Sequence, residues 1–189
     1  RADAQAEALN LQRSNANLIN VVSADALGRF PDQNVAESIN RLPGISVERD
    51  QGEGRFVVIR GINPDLNSVA IDGVQLASPD AGQRATLLDT IPSDALQRVQ
   101  VNKAVLPSQP HDAIGGYINI ETPSAYDQDR LISRVSGQVN YSDLVEEWTG
   151  KISGSYGSQF GDENQYGFII SASYSENSFG SDNFEAEQW

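Results

Sequence analysis

The chain has 189 residues, with 13 Lys and Arg against 26 Asp and Glu, and its formal net charge is −13. Such an acidic chain does not suit nucleic acid, because contacts to phosphates need clustered Lys and Arg. The absence of cysteine excludes disulfides and cysteine nucleophiles, and the single histidine, His111, has no second histidine for a zinc site. We therefore expect no metal, no other cofactor and no enzymatic centre.

The first part of the chain predicts short helices. Residues 1–20 are rich in Ala, Asn and Gln, and we interpret them as an exposed, poorly structured lead-in. Residues 23–28 predict one helical turn with Ser23 as the N-cap. A sharper helix follows Asp32, its predicted N-cap, and ends at Pro43, which disfavours the helical state in the preceding residue. Its apolar face has helical spacing: Val35, Ile39 and Leu42.

Short strands and polar turns fill the chain up to residue 121. Predicted strands are 45–47, 56–59, 69–71, 74–76, 99–101 and 117–120. Residues 49–55 predict a Gly-rich polar turn, and Asp72-Gly73 predicts a tight turn. These elements predict a small mixed α/β domain, with a core of Val35, Ile39, Leu42, Val47, Val58, Ile71, Val99, Val101, Ile118 and Ile120.

After Pro123 the pattern changes to strict alternation. Residues 122–189 hold 11 acids and three bases, a sharper acidic excess than in the part before them. Three segments of about ten residues, 131–141, 148–156 and 166–174, alternate apolar and polar residues, with aromatics near their ends. This pattern is typical of antiparallel transmembrane barrel strands with the apolar side outward. Soluble sheets alternate too, so a soluble β-rich binding module stays open as an alternative.

Several motifs, taken in order, resemble the plug domain of TonB-dependent receptors. They are NRLPGISV (40–47), VVIRG (57–61), VAIDGVQL (69–76), IPSDALQRVQVNK (91–103) and DAIGGYINIETPS (112–124). The stretch 23–61 is similar to a Caulobacter-type proteobacterial branch, in which several members are linked to carbohydrate uptake. The resemblance implies an α+β plug domain at 21–124 after a lead-in at 1–20, and the first strands of an incomplete outer-membrane β-barrel at 125–189.

The resemblance also implies a function. We expect energised import of a scarce solute, with a carbohydrate favoured over a siderophore, haem or cobalamin. The implied partners are periplasmic TonB, the solute, outer-membrane lipid and lipopolysaccharide, and a surface or periplasmic binding protein. A TonB-dependent signal-transducing receptor is the alternative. Three strands cannot close a barrel, so we expect the chain to be part of a longer protein.

This sequence departs from the family pattern at a few positions. Gln97 and Gln100 stand where many members carry a carboxylate, and residues 104–107 replace an Arg-Gly-Pro. The TonB box, a short segment that precedes the plug, is not recognisable in residues 1–20.

Plugs of this family present their outward loops to the ligand, and residues 49–55, 62–67 and 77–86 match those positions. The predicted ligand-binding residues are Asp50, Gln51, Arg55, Asn63, Asp80 and Arg84. Their donors and acceptors suit a hydroxyl-rich solute, and the two arginines suit an anionic one. For Arg60, the resemblance implies an ion pair between plug and barrel. The loop acids Asp50, Glu53, Asp65 and Asp80 are alternatively a calcium site, although they lack the spacing of an EF-hand.

Overall fold

The computed structural model describes residues 2–15, 17–23, 34–50, 53–79, 81–93, 96–127, 131–143, 145–176 and 178. It contains two parts: a mixed α/β domain up to residue 121, and a three-stranded sheet that begins at Ile132. A linker at 122–127 leads from one to the other.

The N-terminal residues are more ordered than the sequence pattern predicts. Helix α1 spans Ala2–Ser14 and strand β1 spans Ile19–Ser23. The prediction of a poorly structured lead-in is therefore wrong for these residues. Ala, Gln, Glu and Leu are strong helix formers, and Ala8 and Leu11 pack against Ile19 and Val21 of the strand. The predicted helical turn after Ser23 lies outside the described residues.

A five-stranded sheet forms the centre of the mixed domain. Its strands are β1, β4 (Asn67–Ile71), β5 (Val74–Gln75), β6 (Arg98–Asn102) and β7 (Gly116–Glu121), in the order β1-β6-β7-β4-β5. Strands β4 and β7 are parallel, and the other neighbours are antiparallel. The predicted turn between β4 and β5 is confirmed, because Asp72 and Gly73 have φ values of 49° and 80°.

A helix and a separate hairpin cover one face of this sheet. Helix α2 spans Val35–Ile39, and the hairpin pairs β2 (Ile45–Asp50) with β3 (Glu53–Ile59). The N-cap of α2 is Asn34, whose side chain accepts a hydrogen bond from the backbone N–H of Glu37, and not Asp32 as predicted. Both hairpin strands extend into residues predicted as a loop, so the predicted turn at 49–55 is wrong for the described residues on either side of 51–52.

The predicted core is confirmed at most positions. Six of its members are fully buried: Val35, Ile39, Val99, Val101, Ile118 and Ile120. Leu42, Val47 and Ile71 are partly buried against them. Val58 is the error, since Val57 and Ile59 point inward instead. Directly opposed residues share a face of a hairpin, and Val47 is opposite Val57.

The second part is an antiparallel meander of long strands. Strands β8 (Ile132–Ser142), β9 (Glu147–Phe160) and β10 (Tyr166–Glu176) lie in the order β10-β9-β8. All three predicted segments are strands, and β9 extends beyond its predicted end. Among the helices in the described residues, none is long and apolar enough to cross a membrane.

The register of the meander puts its large apolar side chains on one face. Tyr141 is opposite Trp148, and Tyr156 is opposite Ile170. We call this side the outer face; its exposed large side chains are Val135, Val139, Tyr141, Trp148, Ile152, Tyr156, Phe160, Tyr166, Phe168, Ile170 and Tyr174. The inner face carries mainly Ser, Gln, Asn and Gly, with hydrogen-bonded serines at Ser136 and Ser153 (2.6 Å).

Aromatic pairs mark both ends of the outer face. The rings of Tyr141 and Trp148, beside the β8–β9 turn, are 4.9 Å apart. At the β9–β10 turn, the rings of Phe160 and Tyr166 are stacked at 5.5 Å. Aromatic bands at the two ends of an apolar surface are the pattern of a membrane-spanning strand.

Candidate functional site

Two of the three predicted binding loops are joined by one carboxylate. Asp65 lies in a short 3₁₀ helix, Pro64–Leu66, where the side chain of Asn63 accepts a hydrogen bond from the backbone N–H of Asp65 (2.9 Å). One oxygen of Asp65 accepts hydrogen bonds from the backbone N–H groups of Arg84 and Ala85, both at 2.9 Å. Asp65 therefore fixes the loop that carries Arg84 and has a structural role that the sequence did not indicate.

Arg84 lies at the surface of this joined loop pair. Its guanidinium group forms an ion pair with Asp112 at 2.8 Å, and its side chain is 59% exposed. The same oxygen of Asp112 accepts a hydrogen bond from the side-chain amide of Gln75 at 2.9 Å. A bound anion would share Arg84 with Asp112, while a hydroxyl group could accept from Arg84 and donate to the carboxylate. We name Gln75, Arg84 and Asp112 the polar triplet.

Sequence reasoning missed two members of the polar triplet. Gln75 follows the tight turn in a two-residue strand, and Asp112 lies in a loop that was assigned no role. The only signal at Asp112 is its place in DAIGG, a motif used for recognition of the family and not for the site. Their meeting depends on contacts 28 and 37 residues apart in the chain, which no local pattern predicts.

Arg55 has surroundings unlike those expected of a loop residue. It belongs to β3, its side chain is 29% exposed, and its Nε lies 3.7 Å from a carboxylate oxygen of Asp89. The guanidinium also lies over the ring of Phe56, 5.4 Å from its centre. The backbone carbonyl of Arg55 accepts from the N–H of Leu88. These contacts attach β3 to residues 88–89, which follow the loop that carries Arg84. Arg55 is a strand residue and not a turn residue as predicted, and its contact with a ligand stays a prediction.

The β2–β3 hairpin is held near its turn by Glu37 of α2. Arg49 binds both oxygens of Glu37, with Nη1 2.7 Å from Oε1 and Nη2 donating to Oε2 at 2.8 Å, and Oε1 also accepts from the backbone N–H of Gly54 (3.2 Å). A Cβ atom at Gly54 would lie 2.8 Å from a methyl group of Val47, so only glycine permits this approach. The side chain of Asp50, all of Gln51 and all of Asp80 lie outside the described residues.

Arg60 lies beside Lys103, so two positively charged side chains are adjacent. Its backbone is left-handed, with φ 54°, and its guanidinium group donates to the backbone carbonyl of Lys103. Lys103 in turn donates to the carbonyl of Pro43. Burial, and then the nearby Arg60 charge, lower the pKa of Lys103 below its usual value. Arg60 bonds to Lys103 and Gly44, both in the mixed domain, and its ion pair with the barrel stays a prediction.

The inner face of the meander contacts the mixed domain and the linker. Lys151 of β9 donates to the hydroxyl of Ser93 at 3.5 Å, and the side chain of Gln159 donates to the carbonyl of Ala125 at 2.8 Å. The hydroxyl of Tyr126 donates to the carbonyl of Gln165 at 2.9 Å. The polar face therefore lies toward the mixed domain, as the alternation predicts.

His111 is exposed in the loop that follows β6. Within the described ranges, no group of three or more His, Cys, Asp or Glu side chains is arranged to hold a metal ion. Asp65 is one of the four acids of the alternative calcium site, and one of its carboxylate oxygens already accepts two backbone N–H groups.

Comparison with known proteins finds a matching family and several similar structures. Residues 12–117 match the family described as TonB-dependent Receptor Plug Domain. A ferric enterobactin receptor of Pseudomonas aeruginosa superposes with a TM-score of 0.68 and 18% identity, over 85% of this chain and 25% of that one. The ferric preacinetobactin receptor BauA of Acinetobacter baumannii gives 0.67 and 17%, over 89% and 24%.

A third structure, the siderophore receptor PirA of Acinetobacter baumannii, gives a TM-score of 0.60 at 18% identity, over 88% of this chain and 25% of that one. The three matches share the order of a mixed α/β domain followed by antiparallel strands. The chain spans about a quarter of the length of these receptors.

Proposed function

This chain belongs to the TonB-dependent receptors through its plug domain, and from that premise we propose that it takes part in active import of a scarce solute across the outer membrane. The fold is a plug domain followed by antiparallel strands, and the family has an outer-membrane location. Its known members are receptors and transporters. We propose that the plug ends at 124 and that barrel strands begin at 125; the predicted boundary at 20–21 falls inside β1, a strand of the central sheet.

The observation that carries this proposal is the junction between plug and strands. The inner face of the meander is polar and meets the plug through hydrogen bonds such as Lys151 to Ser93. Hydrated polar contacts of this kind can be broken at small net cost, because water replaces the lost partner. A plug that must be held and then displaced is served better by such contacts than by an apolar interface.

Two partners follow from the family. We propose that periplasmic TonB supplies the energy for import and that a small solute is the ligand. Lipopolysaccharide, outer-membrane lipid and a surface or periplasmic binding protein are further proposed neighbours. A signal-transducing receptor is the alternative function that the sequence leaves open. It predicts an additional N-terminal domain in the whole protein.

Two classes of solute, ferric siderophores and carbohydrates, are the candidates. The structural matches are siderophore receptors by name, which supports a ferric siderophore, although at 17–18% identity they share the fold alone. The carbohydrate preference depends on the subgroup resemblance, which the matches do not support. The polar triplet suits both, because Arg84 attracts an anion and all three side chains bond to hydroxyl groups.

Growth of a deletion strain of the source organism tests the proposal. The strain and its complemented parent are compared under iron limitation with ferric siderophores, including ferric enterobactin, and on oligosaccharides as sole carbon source. We expect a defect on one class that the intact gene restores and that a TonB deletion reproduces. Equal growth of both strains on every source would contradict import of these solutes.

The polar triplet is tested on the solute that this panel identifies. We expect Arg84→Gln to weaken binding about tenfold, since a charge-assisted hydrogen bond contributes about 1.5–3 kcal/mol and each 1.4 kcal/mol is a factor of ten.

Asp112→Asn separates the two classes of solute. It should strengthen binding of an anion by freeing Arg84 and weaken binding of a neutral sugar. The matched control is Arg13→Gln, an exposed arginine of α1. Unchanged affinity in Arg84→Gln would assign the site to other parts of the receptor.

A further inference from the structure

The linker begins at a residue that the plug itself holds. Asp72 lies in the turn between β4 and β5, and Thr122 follows the last residue of β7. One carboxylate oxygen of Asp72 accepts a hydrogen bond from the backbone N–H of Thr122 at 2.9 Å, and the other accepts from the Thr122 hydroxyl at 2.6 Å. The backbone N–H of Asp72 donates to the carbonyl of Ile120 at 2.8 Å. The direction in which the chain leaves β7 is therefore set by two bonds to one side chain.

The rest of the linker is stiffened by its own residues. Pro123 has a ring that fixes its φ angle. The side chain of Asp127 accepts from the backbone N–H of Ser124, and the N–H of Asp127 donates to the Ser124 carbonyl at 3.1 Å. The Ser124 hydroxyl accepts from the N–H of Tyr126 at 3.2 Å. Bonds between short polar side chains and nearby backbone close tight turns, so residues 124–127 form a compact loop.

This compact loop lies against the inner face of the β9–β10 hairpin. Gln159 and Gly167 are directly opposite each other on that face. The Gln159 side chain donates to the carbonyl of Ala125 at 2.8 Å, and the Tyr126 hydroxyl donates to the carbonyl of Gln165 at 2.9 Å. Ala125 is only 6% exposed. The hairpin therefore holds the linker by two hydrogen bonds and by packing.

Gly167 is the residue that permits this close approach. A Cβ atom at Gly167 would lie 2.8 Å from the Cβ atom of Ala125 and 3.3 Å from the ring of Tyr126. Two carbon atoms overlap at 2.8 Å, since their optimal separation is about 3.5–4.0 Å. The Cβ atom of Ala125 cannot rotate away, because it is attached directly to the backbone. Any larger residue at position 167 would therefore push the linker off the hairpin.

We propose that residues 122–127 are a fixed joint, which sets the distance and orientation of the plug relative to the β9–β10 hairpin. A flexible linker of six residues has an end-to-end distance of about 12–15 Å that fluctuates freely. In this chain the first residue of the linker is bonded to the plug, and its last turn is bonded to the hairpin. Each bond contributes little by itself. Together they restrain one short segment, so that the end of β7 and the hairpin move as one body.

The joint does not rest on the proposed import, so it is tested in the full receptor without solute or TonB. The chain has no cysteine, and spin labels are attached to thiols introduced at exposed positions. Val74→Cys on β5 and Ile170→Cys on β10, where the native side chains are 71% and 64% exposed, report the distance between plug and hairpin. Val139→Cys with Ile170→Cys is the reference pair within the meander.

Double electron–electron resonance gives the distribution of each distance. We expect one population for the plug–hairpin pair, with a width within about twofold of the reference pair, because the joint holds both parts together. A distribution of several populations, or one many times wider than the reference, would show a flexible linker and overturn the proposal.

Gly167→Ala is the variant that opens the joint. We expect it to widen the plug–hairpin distribution at least twofold, because the added methyl group displaces the linker. The matched control is Gly137→Ala on β8, where no other group lies within 4 Å of the added methyl, and it should leave the width unchanged. Equal widths in Gly167→Ala and Gly137→Ala would overturn the joint.

A second variant tests the joint without added bulk, in case Gly167→Ala does not fold. Tyr126→Phe combined with Gln159→Ala removes both hydrogen bonds to the hairpin and should widen the distribution as well. Its control is Tyr174→Phe, which removes the hydroxyl of a tyrosine that is 68% exposed on the outer face. A width equal to that of the control would contradict the joint.

The urea midpoint of plug unfolding separates a joint from a contact that merely stabilises the plug. Circular dichroism should give the same midpoint for Gly167→Ala and the unsubstituted receptor, because the linker bonds lie outside the plug core. A midpoint that falls as the distance distribution widens would mean that the plug has lost structure. That result too would overturn the joint.

Discussion

Residue identity alone does not distinguish Arg55 from Arg84, although both were predicted to contact the ligand. Arg55 is a half-buried strand residue with Asp89 and the Phe56 ring as neighbours, whereas Arg84 is exposed beside Asp112. Polarity and turn residues in the sequence predict that a segment is at the surface. They carry no information about which carboxylate a long side chain will reach, because that depends on contacts between distant parts of the chain.

Arg60 offers a test of the proposed contact between plug and barrel. It lies beside Lys103, and each of the two side chains donates a hydrogen bond to a backbone carbonyl. Two adjacent cations in a chain of net charge −13 favour a carboxylate on the facing barrel wall. We expect Arg60→Gln to loosen the plug and to sensitise cells to a bulky antibiotic such as vancomycin, while Arg60→Lys keeps most of the barrier.

The control for this prediction is the amount of receptor in the outer membrane, which should be equal in both variants. The same sensitivity for wild type and Arg60→Gln at equal amounts would refute the ion pair.

At the scale of elements, the β2–β3 hairpin shows how a correct strand can be assigned the wrong face. Four apolar residues in a row, Phe56 to Ile59, have no alternation that selects one side. The opposite strand decides, because Val47 is opposite Val57 and Ile45 is opposite Ile59. A prediction that put both Val47 and Val58 inside was therefore inconsistent with the pairing itself.

Paired substitutions in β3 measure this register. Val57→Ala should lower the free energy of unfolding of the plug by about 2 kcal/mol, because Val57 is 4% exposed and two methyl groups leave the core. Val58→Ala should cost less than about 1 kcal/mol. Urea unfolding followed by circular dichroism gives both values. A larger loss for Val58→Ala would contradict the register.

Helix α1 was missed although the sequence contains a signal for it, the helix propensity of its own residues. Its residues are good helix formers, but its apolar face is narrow: among the side chains described for α1, the hydrophobic ones that pack against Ile19 and Val21 are Ala8 and Leu11. A helix with so little buried surface depends on its partner strand, and the first two residues of that strand were themselves assigned to the lead-in.

On the scale of the whole molecule, the meander predicts which surface meets lipid. Ile152 lies on the outer face, four residues from each of Trp148 and Tyr156, near the middle of the apolar band. We expect Ile152→Arg to cost about 2–4 kcal/mol, the range for a cation at the midplane on a barrel's lipid face. The folded fraction in membranes is measured by heat-modifiable migration in gel electrophoresis.

The control for this variant is Ser136→Arg, at the same depth on the inner face, which should fold normally because its cation meets water and polar side chains. Equal folding of the two variants would contradict the assignment of the faces. The sequence predicted this assignment correctly, because strict alternation over ten residues depends only on the strand's own geometry. The polar triplet could not be predicted in this way, because its members come from three separate loops and strands.

The position of Trp148 gives the chain a built-in optical reporter. Its indole lies on the outer face beside Tyr141, and residues 1–147 contain no other tryptophan. Excitation at the red edge of protein absorption therefore reaches Trp148 and Trp189 and leaves residues 1–147 dark, so a Trp189→Phe variant isolates Trp148 within this chain. We expect lipids brominated at a shallow depth to quench the emission of Trp148, and quenching to fall as the bromine is moved toward the bilayer centre. Urea that melts the plug while the strands stay inserted should leave this emission unchanged, so one spectrum can separate the two unfolding events.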